Sequence, residues 1–245
     1  MKLLAALIEQ NLAENQTVAR GLILSNRVLV NDIPVTSEHQ NISAEDVIRV
    51  RGVQKYVARS AEKLLYAVQE FEFPVKDLTF LDVGSSTGGF TQVLLDQGAR
   101  SVLCVDVGYG ILHSKIRNDP RVTVFERQDI KQLQRDSLPL IVDSFVCDVS
   151  FTSLEFIIPH VFTLLKESQE PRNGLVLFKP QFELPKNKRD LLNRGVLESE
   201  TEAKKLIDLF VQKMQSMRIE LVRSVKTKLK GRTGNQEYVL WLKSI

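Results

Sequence analysis

From residue 78 to residue 242 the chain alternates strand-like apolar runs with helix-like segments, and that alternation demands a parallel sheet. Strands are predicted at "LTFLDV", "SVLCVDV", "VTVFER", "SFVCDVS" and "GLVLFKP". Helices between them include Phe90 to Gln97, closed by Gly98 at the C′ position, and Leu154 to Glu167. A long amphipathic stretch after Glu198 places Ala203, Leu206, Ile207, Phe210 and Met214 at helical spacing. Two late strands, "IELVRSV" and "EYVLWL", are joined by "KLKGRTGN" and predict an antiparallel hairpin that closes the sheet edge. Seven strands with such an end differ from the six parallel strands of a dinucleotide-binding Rossmann domain.

Residues 1–52 read differently, as a small α+β module. Two short helices, Leu3 to Gln10 and Thr17 to Ser25, precede the strand and turn "RVLVNDIPV" and a second strand, "DVIRV". A basic linker is predicted at 53–62, and the α/β domain at 63–245. A chain of 245 residues, 43% of them hydrophobic, can bury the core of one domain of about 180 residues plus something small. The net charge of +3 permits an anionic partner without demanding one, so charge placement has to carry that argument. Cys104 and Cys147 sit inside apolar strand-like runs, which suits buried thiols of a reducing compartment rather than a disulfide or a metal pair. The apolar run from Leu3 to Ile8 ends at Glu9, too short for a secretion signal, and no run long enough to span a membrane follows. A cytoplasmic protein with no metal and no membrane partner is expected; the oligomeric state is not readable from the sequence.

The turn in "FLDVGSSTGGFTQVLL", residues 80 to 95, follows a strand and opens a helix, the start of a nucleotide-binding unit. A pyrophosphate needs G-x-G-x-x-G, but here Ser86 takes the middle position and crowds that approach. The other register, D-x-G-x-S-x-G from Asp82 to Gly88, matches the first motif of S-adenosylmethionine-dependent methyltransferases. Asp106 ends the second strand 22 residues after Gly84, where a carboxylate can grip both ribose hydroxyls at about 1.5 to 3 kcal/mol each. Asp129, after the third strand, can address the adenine amino group. The candidate cofactor set is Asp82, Gly84, Ser85, Ser86, Thr87, Gly88, Gly89, Phe90, Asp106, Val107, Asp129 and Asp148. The plainer alternative, that Asp82 and Asp106 only cap strand ends, stays open.

The acceptor is narrowed by what is missing. Base-amine methyltransferases carry N/D-P-P-Y after the fourth strand, and this chain has "CDVSF" there. Alternation turns Cys147 to the face opposite Asp148, away from a nucleophile's place. What remains is charge: Lys63 before the sheet, Asp148 and Lys179 at the ends of the fourth and fifth strands, and Glu237 at the start of the last. The carboxyl ends of parallel strands face one crevice, so Asp148 and Lys179 are expected to meet beside the glycine turn. A ribose hydroxyl needs a base and a nearby positive charge, and a lysine crowded by another lysine and flanked by carboxylates can supply both.

These residues resemble the TlyA ("hemolysin A") family of bacterial ribosomal RNA 2′-O-methyltransferases, whose catalytic domain is similar to that of FtsJ. The resemblance spans nearly the whole chain and rests on "YVARSAEKL", "LDVGSSTGGFT", "VDVGYGIL", "DPRV", "CDVSFTSL", "FKPQFE" and "GNQEYVLWL". It implies a class I, Rossmann-like fold, S-adenosylmethionine as methyl donor, and a catalytic tetrad of Lys63, Asp148, Lys179 and Glu237. It also implies methylation of a cytidine 2′-hydroxyl in ribosomal RNA within a subunit. The N-terminal module resembles the alpha-L RNA-binding domain of a small-subunit ribosomal protein and of pseudouridine synthases. RNA contacts are expected from Lys2, Arg20, Arg27 and Arg59, from Lys186, Lys188, Arg189 and Arg194 of "PKNKRDLLNRGV", and from Lys230 and Arg232 of the hairpin. Large-subunit RNA is favoured because nothing precedes the small module. Two other readings compete: a noncatalytic ribosome-assembly factor, which the intact tetrad opposes, and a membrane-lytic protein, for which the chain offers no span.

Overall fold

The fold was obtained as a computed structural model, which describes residues 1–10, 12–31, 33–43, 46, 48–52 and 56–245. Two compact units result, Met1–Lys55 and Tyr56–Ile245.

In the first unit, α1 (Leu3–Glu9) and α2 (Gln16–Leu24) precede three short strands, β1 (Val28–Val30), β2 (Ile33–Pro34) and β3 (Ile48–Val50). Asn15 starts α2 by accepting the Val18 N–H at 3.0 Å, satisfying one of the orphan donors of a helix N-terminus. β1 lies between β2 and β3 in an antiparallel sheet. Its core is Leu3, Leu7, Ala19, Ile23 and Val28, so one face of each helix closes on the sheet.

The second unit opens with α3 (Ser60–Phe71), then β4 (Thr79–Val83), α4 (Gly89–Asp96), β5 (Ser101–Asp106), α5 (Ser114–Arg117) and β6 (Val122–Glu126). It continues with β7 (Ser144–Cys147), α6 (Ile158–Leu164), β8 (Asn173–Phe178), α7 (Pro180–Glu183), α8 (Glu200–Ser216), β9 (Ile219–Lys226) and β10 (Tyr238–Ser244). The sheet order is β6-β5-β4-β7-β8-β10-β9, parallel from β6 to β8, with β10 antiparallel to both of its neighbours. Strand order therefore reverses between β4 and β7, which opens a crevice at their carboxyl ends. Alternation along the strands splits the core in two. Phe80, Val102, Cys104, Val146 and Leu177 pack with α3 and α4 on one face. Leu81, Leu103, Phe145, Cys147 and Phe178 pack with α6 and α8 on the other.

Two expectations are corrected. Leu154 to Glu167 is not one helix: a 3₁₀ turn at Leu154–Phe156 precedes α6, which ends at Leu164. Pro159 is the cause, since its ring and missing N–H are tolerated only in the first turn. The segment 53–62 is not a linker throughout. Residues 53–55 lie outside the described residues, but Tyr56 is buried in the second core, the Val57 N–H donates to Gln92 Oε1 at 2.8 Å, and Ser60 already begins α3.

Gly174 sits where β8 passes the Phe145 ring, and a Cβ there would overlap the ring. Phe145 is fully buried and edge-on to Phe162 at 5.1 Å, so it has nowhere to move. Gly174→Ala is expected to lower unfolding stability by about 1–3 kcal/mol, the range for overpacking a dense core, as measured by urea denaturation.

Candidate active site

The glycine turn begins where β4, β5 and β7 end together. Gly84 and Ser85 donate their N–H groups to the Val105 carbonyl, and Asp148 donates its own to Val83 at 2.9 Å. Gly84 has φ +79, and a Cβ on it would stand 2.7 Å from the Asp148 carbonyl oxygen, so only glycine fits. Ser86 also adopts positive φ, and its N–H donates to Asp106 Oδ2 at 2.8 Å, while Gly108 N–H donates to Oδ1 at 2.7 Å. Asp106 is thereby fixed at the mouth of β5.

A cavity of about 420 Å³ lies over these strand ends, lined by Gly84, Ser86, Asp106, Val107, Asp129 and Asp148 among others. A smaller one of about 80 Å³ adjoins the same turn and is lined by Ala58, Ser60, Gly84 to Thr87, Phe90 and Asp148. Gly84, Ser86 and Asp148 are common to both. Of the predicted cofactor set, Gly88 packs against Leu112 and Ile116, and Gly89 against Ala58 and Ser60. Phe90 is mainly a core residue. Asp129 caps a 3₁₀ turn by accepting the Lys131 N–H at 3.0 Å, although it still lines the larger cavity.

Asp82 lies beneath the turn, fully buried. The Thr91 hydroxyl donates to its Oδ2 at 2.5 Å, while Oδ1 has no hydrogen-bond partner among the described residues. Burial, reinforced by the charges of Asp148 and Asp106 and opposed by Thr91, pushes its carboxyl up to about 7. Burial likewise raises the free thiols of Cys104 and Cys147, which suits inert core positions.

The four predicted catalytic residues form two ion pairs. Lys179 Nζ lies 2.6 Å from Asp148 Oδ1, and donates to the Val149 carbonyl at 3.1 Å and to Ser150 Oγ at 2.9 Å. Lys63, on α3, donates to Glu237 Oε2, and both are buried. Register brings the pairs to one edge. Phe178 opposes Tyr238, so Lys179 and Glu237, one residue beyond, stand at the same level on neighbouring strands, with Asp148 on the next strand over. Each lysine is paired with its own carboxylate. Strand-end position signals proximity, but it carries no information on which charge faces which.

Sequence reasoning missed the aromatic mouth. Phe151, at φ +64, is 91% exposed, and its ring is 5.1 Å from that of Phe182, which in turn lies 6.0 Å from Lys179 Nζ. A lone Phe after "CDVS" looks like a core residue, and only its place on a loop beyond the sheet exposes it.

The predicted RNA-binding cations fall into two groups. Lys2 donates to Asn41 Oδ1 at 2.9 Å, Arg20 pairs with Glu38 at 2.8 Å, and Arg27 donates to the Arg51 carbonyl at 2.7 Å, so these three also brace the first unit. Arg59, Lys186, Lys188, Arg189, Arg194, Lys230 and Arg232 are exposed in the second unit. Among the described residues no helix is long and apolar enough to cross a membrane.

A Rossmann-like sheet with an antiparallel strand inserted at its end, and an acid-lined cavity over the turn after its first strand, defines a class I methyltransferase fold. Residues 56–244 match the FtsJ-like methyltransferase family. Hemolysin A of Brachyspira hyodysenteriae is 36% identical over 230 residues, which cover 92% of each chain. TlyA of Mycobacterium tuberculosis, named a 16S/23S rRNA (cytidine-2′-O)-methyltransferase, is 34% identical over 242 residues, covering 98% of this chain and 88% of that one. A solved structure from Lactococcus lactis, described as a hemolysin, superposes with TM-score 0.72 at 32% identity, covering 78% of this chain and 89% of that one. The chain belongs to the FtsJ-like methyltransferase family, and within it to the TlyA group.

Asp82 gives a test of the buried site. In the folded protein it keeps its proton to about pH 7, whereas the unfolded chain releases it near 3.8. The stability it contributes is full below the lower value and is lost as pH rises through the upper one. Asp82→Asn stays neutral throughout. Urea unfolding across this range is expected to show the parent losing stability relative to the variant as pH rises; a constant difference would mean an unshifted carboxyl.

Proposed function

We propose that the protein methylates the 2′-hydroxyl of a cytidine in ribosomal RNA, large-subunit RNA being favoured, with S-adenosylmethionine as donor. The observation that carries this reading is the alignment of Asp148, Lys179 and Glu237 on three neighbouring strand ends, with Lys63 behind them, beside the acid-lined cavity. The names of the TlyA relatives support the substrate; both 16S and 23S RNA appear in the mycobacterial one.

The residues suit this donor. The two adjoining cavities can take a nucleoside and an amino-acid end on either side of Gly84, whose missing side chain keeps the passage open. Asp106 has lone pairs left for ribose hydroxyls after accepting two backbone N–H groups. When bound, S-adenosylmethionine supplies an electrophilic methyl group on a sulfonium.

The other steps belong to the protein. The exposed Phe151, resting on the half-buried Phe182, offers an aromatic surface on which a base turned out of its helix can stack. The incoming 2′-hydroxyl replaces the Ser150 contact of Lys179 and stands between Nζ and the methyl group. Lys179 passes one ammonium proton to Asp148 and takes the 2′-hydroxyl proton in its place, and the freed oxygen would form its O–C bond as the methyl–sulfur bond of the donor breaks, the leaving group being a neutral thioether. The buried Lys63–Glu237 pair fixes the neighbouring strand end and balances its charge. The first unit, with Lys186, Lys188, Arg189, Arg194, Lys230 and Arg232, supplies phosphate contacts, and the place of work is the cytoplasm, where ribosomes are built.

Lys179→Arg separates charge from proton transfer, because a guanidinium stays protonated. Single-turnover methyl transfer is expected to fall by about 10² or more while cofactor binding, read by calorimetry, stays near that of the parent. In the same assay Asp106→Ala is expected to weaken cofactor binding by about tenfold or more, since at least one charge-assisted hydrogen bond to the ribose is lost. An arginine variant within about threefold of the parent would leave Lys179 with a role through charge alone.

A further inference from the structure

Two loops carry the acceptor side of the site, and they leave neighbouring strands. The first runs on from β7 through Asp148 and Phe151 to the 3₁₀ turn at Leu154; the second runs on from β8 through Lys179 and the short helix α7, which carries Phe182 and ends at Glu183. Strand pairing between β7 and β8 ends at Cys147 and Val176, before either loop begins.

Side chains join the loops beyond that point, at two places. Near the strands, Lys179 Nζ reaches Asp148, Val149 and Ser150. Farther out, Glu183 Oε2 accepts the Ser153 hydroxyl proton at 2.6 Å, and Oε1 accepts the Leu154 N–H at 3.0 Å. Ser153 also caps the 3₁₀ turn by accepting the Glu155 N–H at 3.4 Å, so Glu183 holds the cap itself.

Phe151 lies between the two ties, and its backbone is in the left-handed region, at φ +64. A bulky aromatic is strained there and keeps such a conformation only where its surroundings over-determine it. The residues on either side are the ones held: Val149 and Ser150 by Lys179, Ser153 and Leu154 by Glu183. Phe182, against which the Phe151 ring rests, immediately precedes Glu183. Burial raises the Glu183 carboxyl above the usual range, as befits a group enclosed where the end of α7 meets the Ser153 cap.

We propose that Glu183 is a positioning residue: by tying Ser153 and Leu154 to the end of the second loop, it holds Asp148 and Phe151 in place against Lys179 for methyl transfer. The assignment rests on the methyltransferase reading above for its consequence in rate, but not for the clamp itself. Glutamine can reproduce the contact, its carbonyl accepting the Leu154 N–H and its amide donating to Ser153 Oγ, without the charge. Alanine cannot.

The test uses the full chain as Glu183→Ala, Glu183→Gln and Ser153→Ala, with ribosomal subunits lacking the methyl group as substrate. Glu183→Ala is expected to lower the single-turnover rate by about 10², the cost of misplacing reacting groups, and to speed amide exchange across residues 150–154. Glu183→Gln is expected to restore most of the rate and the slow exchange. Should the alanine variant not fold, Glu183→Gln and Ser153→Ala decide, with Ser153→Ala expected to loosen the same amides. Loop amides that exchange in Glu183→Ala, or failing that in Ser153→Ala, as they do in the parent overturn the proposal, and so does a glutamine variant with parental exchange that still loses about 10² in rate. A parent that methylates no ribosomal RNA would refute the functional reading instead, and the exchange comparison would still decide the clamp.

Discussion

The contact between Gly84 and the Asp148 carbonyl is the point on which the rest of the site depends. It is close because β4 and β7 are neighbours at the place where strand order reverses, and their ends bring the glycine turn and the Asp148 loop together. A side chain at 84 would push these apart and, with them, the cavity on one side and the lysine–aspartate pair on the other. The sheet therefore does more than support the two halves of the site. Its topology sets the distance between the acid-lined cavity and the lysine–aspartate pair.

The second constraint is electrostatic. Four charged groups gather at the sheet edge, and the structure neutralises them as two pairs, Lys179 with Asp148 and Lys63 with Glu237. Burying a pair such as Lys63–Glu237 gives back little net stability once desolvation is counted, and a well-packed apolar pair would serve folding as well. A site that must place positive charge and proton acceptors beside a ribose hydroxyl gives these residues a reason to be there that packing does not.

Much of this was legible from sequence. Strand and helix periods, the D-x-G-x-S-x-G turn and the late hairpin follow from local patterns, and the strands lie where those patterns put them to within a few residues. The meeting of Asp148 and Lys179 was legible because the carboxyl ends of neighbouring parallel strands face one crevice. What escaped was long-range. Nothing near Glu183 in "FKPQFE" points to Ser153, thirty residues earlier, and nothing near Phe151 distinguishes an exposed aromatic from a core one. The pairing of each lysine with a carboxylate depends on how the end of β8 meets the end of β7 and how α3 packs at the start of β10, which only the folded unit reveals. Arg27 looked like a free cation, but its guanidinium is tied to the Arg51 carbonyl. The proline at 159 was the one local signal available for the break before α6.

The central claim is that these residues deliver a methyl group to a ribose oxygen of ribosomal RNA. The direct measurement is nucleoside mass analysis of ribosomal subunits from cells lacking the gene, after incubation with the purified protein and isotopically labelled S-adenosylmethionine. The account predicts label in 2′-O-methylcytidine, recovered from large-subunit RNA. Label on a base, or no label on any ribose in either subunit, would contradict it.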